Sequence, residues 1–245
     1  MSILLKKSAA VLLALSALTA ASAARADSLL SDGDRAQLAA WLGGGELTLT
    51  NIYTKVVGDT AASFHAAVDG KGPTFSVMQA MDDQGKTWLV GGYNPQSWSS
   101  KGGYNMTPEQ QDRTAFIFNL TSGVMRLQAP TSFAVDSAGA YQTFNDPAYG
   151  PTFGIGHDLY VGQDLTQGLS VLYSYAGTDP VSGGFHTSLL DGSPYPSKPN
   201  AIIGQMEIFT FSLTPVPEPS AALMLVGGLA ALVLATRRRR HCSRL

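Results

Sequence analysis

Two uncharged apolar runs, Ala9–Ala24 near the start and Ala221–Ala235 near the end, confine any folded domain to the chain between them. Lys6 and Lys7 precede the first run, and Ala24-Arg25-Ala26 follows it with the small-x-small pattern that signal peptidase accepts. That is the n-region, h-region and cleavage site of a secretory signal, with Asp27 as the first mature residue. The competing reading, a permanent N-terminal anchor, fits a run this short and Ala-rich less well. The second run has Val216-Pro217-Glu218-Pro219 ahead of it and Arg237-Arg238-Arg239-Arg240 directly behind. Its 15 residues reach only about 22 Å as a helix, against the roughly 30 Å of a hydrocarbon core. The arginines nevertheless hold that end on the cytoplasmic side, so the domain lies outside the cytoplasm. Two independent signals predict one topology.

Setting the ends aside changes the charge. Between Asp27 and Glu218 there are 8 Lys/Arg against all 18 acidic residues, a net of −10. Phosphate binding needs basic side chains, so nucleic acid is excluded as a partner. Cys242 is the only cysteine and lies in the tail, which rules out disulfides, cysteine catalysis and thiolate metal sites in the middle. About 185 residues suffice for one core without such staples.

The Pro217-Glu218-Pro219 tripeptide, short span and basic cluster resemble the PEP-CTERM sorting tail of Gram-negative bacteria, over roughly residues 215–241. The resemblance implies cleavage near the motif by a membrane exosortase and release or transfer to the cell surface, in company with exopolysaccharide or biofilm systems. A plain C-terminal anchor behind a Pro-rich linker is the alternative. The implied path is an inner-membrane intermediate with a periplasmic domain, held by the C-terminal helix until cleavage, and then the cell surface or extracellular matrix. Signal peptidase and exosortase are the expected processing partners, and exopolysaccharide or a surface protein the expected final one.

In the middle, Leu29, Leu30, Leu38, Trp41 and Leu42 have mostly helical spacing between a cap at Ser31 or Asp32 and the stop Gly43-Gly44-Gly45. A second helix follows a cap at Asp59 or Thr60, with Ala61, Phe64, His65 and Val68 in one stripe and Gly70 as its stop. Eight β-branched or aromatic runs predict strands: 74–78, 87–90, 115–120, 124–127, 141–144, 158–161, 169–175 and 202–213. Turn clusters such as Asp82-Asp83-Gln84-Gly85 punctuate them, and 179–200 reads as a long loop. With no βα alternation, the expected fold is mainly β (α+β), an antiparallel β-sandwich flanked by short helices. The expected organisation is a signal peptide (1–26), a lead-in helix (27–44), a sandwich domain (45–213) and a sorting tail (214–245) with its span at 221–235.

A second resemblance covers about residues 45–213. The run Phe64-His65-Ala66-Ala67-Val68-Asp69-Gly70-Lys71-Gly72-Pro73-Thr74 looks like the helix-to-strand junction of the TLDc domain. Gly91-Gly92-Tyr93 with Trp98, Ala115–Leu120, the glycine-rich stretch Tyr149–Tyr160 and Met206-Glu207-Ile208-Phe209 resemble its later segments, in order. The segment ending at Trp41-Leu42 is similar to sequences that precede such domains. This resemblance implies a β-sandwich flanked by helices. In eukaryotes the family is linked to oxidative-stress resistance and to binding the vacuolar proton pump, with no settled catalytic mechanism.

Four residues are candidates for chemistry. His157 and Asp158 follow Gly154 and Gly156 in an open loop. As neighbours in a strand they would face opposite sides, and Asp158 would then serve to bind turn amides. His65 sits on the apolar stripe of its helix, where a hydrogen bond to a carbonyl is expected. Glu207 shares the parity of Phe209, Phe211 and Leu213 and points coreward, so it needs a partner; His65, His157, Lys71 and Arg113 are the candidates. Such a site would make the protein an extracytoplasmic hydrolase using Glu207 with His157 or His65. The leading expectation is instead a non-catalytic surface-binding module, with oxidant protection by family analogy a third. Nucleophile elbow, phosphate loop and His-x-x-x-His pair are missing, and neither cofactor nor metal is expected; Asp82-Asp83-Gln84-Gly85 reads as a turn, not a calcium loop. Tyr93, Trp98, Tyr104, Tyr149, Tyr173 and Tyr195 could line a sugar platform. Asn105 and Asn119 match glycosylation acceptors, a modification not usual in bacteria.

Overall fold

The computed structural model describes residues 28–130, 136–176, 186–195 and 197–215. The signal segment (1–26), Pro217-Glu218-Pro219, the span 221–235 and the Arg cluster lie outside the described residues.

In chain order the elements are α1 (Asp32–Trp41), β1 (Glu46–Thr54), α2 (Ala61–Val68), β2 (Thr74–Met81), β3 (Thr87–Asn94), β4 (Gly103–Met106), β5 (Phe116–Asn119), β6 (Val124–Leu127), β7 (Tyr141–Asn145), β8 (Thr152–Phe153), β9 (Leu159–Val161), β10 (Gln167–Leu169) and β11 (Ala201–Thr214). The strands form one 11-stranded antiparallel sheet in the order β4-β7-β8-β9-β10-β11-β2-β3-β5-β6, with β1 added on β11. The long β11 is the hub. It pairs with β10 at Ala201 and Ile202, with β2 from Ile202 to Phe209, and with β1 from Glu207 to Thr214.

Both faces of the central strands are covered, so β2 is buried along nearly its whole length, Thr74 and Ser76 included. On one face Phe75, Val77, Phe116, Phe118 and Phe209 meet Leu30 and Leu38 from the α1 region. On the other, Met78, Val90, Ile117 and Ile208 meet Phe153, Leu159 and Val161 from β8 and β9, together with Phe64 and Val68 of α2. The two halves of the sheet therefore share one core, as a sandwich does. Their close approach needs Gly92 in β3, where a Cβ would stand 2.5 Å from the Phe153 ring.

Helix α1 starts in a capping box. Asp34 N–H donates to Ser31 Oγ (3.2 Å) and Ser31 N–H to Asp34 Oδ2 (2.9 Å). The turn at Asp82 is as expected, its Oδ1 accepting from the N–H groups of Gln84 and Lys86 at 3.0 and 2.8 Å.

One predicted strand is corrected. The run 169–175 is strand only to Leu169, and residues 170–176 have no ladder. Along one edge a side chain takes the partner strand's place: Asp158 Oδ2 accepts from Tyr173 N–H (2.5 Å) and Tyr175 N–H (2.8 Å), and Ser170 Oγ donates to the Asp158 carbonyl (2.6 Å). On the other edge Leu172 exchanges single backbone hydrogen bonds with Thr187 and His186 (2.8 and 2.7 Å). Three strands the apolar runs did not mark, β1, β4 and β8, are also present. Among the described residues no helix is long and apolar enough to cross a membrane.

Candidate functional site

The four residues singled out for chemistry do not converge. His65 is buried in α2, with Nδ1 2.7 Å from Asp69 Oδ1 one turn on and Nε2 2.9 and 3.1 Å from the carbonyls of Asp146 and Tyr149. It ties the helix to the turn that follows β7, the carbonyl-bonded placement its stripe position predicts.

Glu207 does point into the structure, and only 6% of it is exposed. Its partners are none of the four cations and histidines expected. Oε2 accepts from Leu29 N–H (2.8 Å) and Ser28 Oγ (3.2 Å), and Oε1 from Asn51 Nδ2 (3.3 Å). Arg113 is engaged elsewhere, its guanidinium donating to the carbonyls of Thr107, Pro108 and Ala129. The N-terminal approach to α1 reaches Glu207 first, because β1 lays Asn51 beside β11 and α1 packs over the same face. Glu207 is a clamp.

His157 and Asp158 are not strand neighbours, since β9 begins at Leu159. His157 has φ 56°, a left-handed turn conformation that an L residue adopts at some cost. Gly154, at φ 77°, leaves space for the carboxyl: a Cβ there would lie 1.8 Å from Asp158 Oδ1. Asp158 is wholly buried, and burial pushes its carboxyl up to about 7 against the backbone hydrogen bonds that lower it. Its Oδ1 has no partner among the described residues.

The His157 ring turns away from that carboxyl into a cluster of aromatic side chains. It stacks on Tyr160 (centroids 5.0 Å apart, planes at 14°) and meets Tyr149 at 5.7 Å and Phe144 at 6.0 Å. Phe144 continues to Tyr104 at 4.7 Å, and Tyr104 to Tyr141 at 4.8 Å. Pairing of Tyr104 with Phe144 across β4 and β7 sets these rings side by side, the β8–β9 turn brings up His157, and β9 itself carries Tyr160. All six are half-buried, each ring partly open to solvent. Burial holds the His157 imidazole below its ordinary pKa and so favours its neutral form. The cluster is thus an uncharged face of flat rings edged by four phenolic hydroxyls and an imidazole.

Two of the six rings expected in a sugar platform, Tyr104 and Tyr149, belong to this face. Trp98 does not: it is 1% exposed and its Nε1–H donates to Thr74 Oγ1 in the core. Tyr93 packs with Phe75, Phe116 and Phe211 on the α1 side. Tyr173 stacks on His186, and Tyr195 stands exposed near Lys198. The sequence reading missed Tyr141, Phe144 and Tyr160, whose shared face depends on pairing between distant strands. Neither acceptor-like asparagine is free for modification. Asn105 Nδ2 donates to Ser97 O and Thr143 Oγ1, and the buried Asn119 donates to the carbonyls of Leu189 and Leu190.

Among the described residues no three His, Cys, Asp or Glu side chains gather as a metal site. The family model described as the TLDc domain matches residues 27–212, a range that takes in α1. No curated protein matches the chain.

Proposed function

We propose, because the chain belongs to the TLDc domain family and carries this aromatic face, that its folded region is a non-catalytic binding domain for polysaccharide at the cell surface. The carrying observation is the uncharged ring cluster of Tyr104, Tyr141, Phe144, Tyr149, His157 and Tyr160. A pyranose presents flat C–H patches and a rim of hydroxyls, which match ring faces and phenolic edges in turn. The aromatic side chains of such a face are already ordered against one another, so little conformational entropy is lost on binding. Lys6 and Lys7, Ala24-Arg25-Ala26, Pro217-Glu218-Pro219 and Arg237–Arg240 support delivery outside the cytoplasm and a place in an exopolysaccharide matrix. In this reading signal peptidase and an exosortase process the chain.

Affinity electrophoresis through gels containing a neutral glucan tests the binding. The wild type should be retarded, and Tyr149→Ala with Tyr160→Ala should weaken the apparent affinity about thirtyfold, at roughly 1 kcal/mol for each of the two lost stacking rings. Equal mobility of the two with and without glucan would remove the aromatic face from the function. Delivery is tested by mass spectrometry of protein collected from intact cells. A mature N-terminus at Asp27 and no peptide containing Cys242 are expected, whereas an intact Cys242 peptide on surface-exposed protein would rule out tail cleavage.

A further inference from the structure

At the other end of the strand order from the aromatic face, a cavity of about 430 Å³ opens between the β2–β3 hairpin, the β5–β6 hairpin and the loop Ser188–Gly192. The volume suits a small polar molecule. Its walls are fixed. Asn119, fully buried in β5, donates through Nδ2 to the carbonyls of Leu189 (3.0 Å) and Leu190 (2.9 Å), and Ser188 Oγ accepts from Leu190 N–H at 3.1 Å.

Two of the eight cations of an otherwise acidic region line this one cavity, Lys86 and Arg126. Among the described residues neither has a carboxylate in contact, the one ion pair there being His65–Asp69. The acid that shares the cavity, Asp191, turns its Oδ1 to Ser193, whose N–H and Oγ–H both donate to it (3.0 and 2.7 Å). The Lys86 ammonium rests over the Trp88 ring, 4.9 Å from its centre. Arg126 Nε is buried with no acceptor among the described residues. A buried donor without a partner is costly, and a guanidinium matches a two-oxygen anion in shape and charge.

We infer that this cavity is a binding site for the carboxylate of an acidic sugar, held by Arg126 and Lys86, with the hydroxyls of Ser122 and Ser188 beside the sugar ring. The site is independent of the aromatic face.

Trp88 reports on it directly. Titration of the full chain with sodium glucuronate at low salt, followed by tryptophan fluorescence, should give a saturable change that Trp88→Phe abolishes. Glucose and sodium sulfate at matched ionic strength should give a response at least about tenfold weaker, the first for want of charge and the second for want of a sugar. Lys86→Gln and Arg126→Gln should each weaken glucuronate binding about tenfold. Lys86 is exposed, so K86Q gives a readable result even where R126Q disturbs β6. The paired Tyr149→Ala and Tyr160→Ala change should leave the titration unaltered. A glucose response equal to that of glucuronate, a sulfate response equal to it, or an unchanged titration in K86Q would each overturn the assignment.

Discussion

Replacing Asp158 with Asn should stabilise the protein by about 2–4 kcal/mol at pH 8 and leave its stability at pH 4 nearly unchanged. The wild-type carboxyl is raised from 3.8 to about 7 by burial. Between those values the native state keeps a proton that the unfolded chain releases, so stability falls as pH rises through the window. The gap corresponds to about 4 kcal/mol at most, from 1.36 kcal/mol per pH unit. An Asn carbonyl can still accept from the N–H groups of Tyr173 and Tyr175, and it has no charge to desolvate. Urea unfolding at pH 4, 6 and 8 checks this: the wild-type midpoint should drop with pH and the D158N midpoint should not. Two profiles that fall in parallel would show that Asp158 is not the group responsible. Asp158→Ala is the opposite case. It leaves two inward backbone N–H groups unpaired and should cost roughly 2–6 kcal/mol, at 1–3 kcal/mol for each stranded donor.

The same residue marks where the sequence stops being legible. The run 169–175 has the composition of a strand, and composition is what its prediction used. Whether such a run finds a ladder depends on what lies beside it, and here the Asp158 carboxyl takes the N–H groups of one edge while Leu172 alone pairs with His186 and Thr187 on the other. Longer elements were readable because their signals are local. The α2 stripe and the cap at Ser31 fall where the spacing puts them, and β2, β3 and β11 extend the predicted runs at their ends. Strand β1 was harder, since Leu47 and Leu49 alternate but the register shifts between Asn51 and Tyr53. The aromatic face follows the same logic. Tyr104, Phe144, Tyr149 and Tyr160 are ordinary strand and turn residues in sequence, and only the β4–β7 and β8–β9 pairings make them neighbours. Parity did place Glu207 inward, but a partner in the chain 178 residues earlier carries no local signal.

That partner gives the second large effect. Glu207→Ala should destabilise the protein by about 2–4 kcal/mol, because Leu29 N–H loses a charged acceptor and Ser28 and Asn51 lose theirs with it. Glu207→Gln should cost less than about 1 kcal/mol, since an amide oxygen can still accept from Leu29 and an amide can rotate to suit Asn51. The local readout is hydrogen exchange. The Leu29 amide should exchange at least tenfold faster in E207A and within a few-fold of wild type in E207Q, at about 1.4 kcal/mol per decade. A hydrolytic role makes the contrary forecast, that E207Q removes activity as fully as E207A whatever its stability. The geometry favours the clamp: the bond fastens Ser28 and Leu29 to β11 and so seats Leu30 and Leu38 over Phe75 and Phe209. Cleavage after Ala26, as proposed for export, would leave Asp27 as the only residue ahead of that clamp. Signal removal and the fastening of α1 then meet at adjacent residues, so in E207A the freed N-terminus should also be the first site of proteolytic trimming.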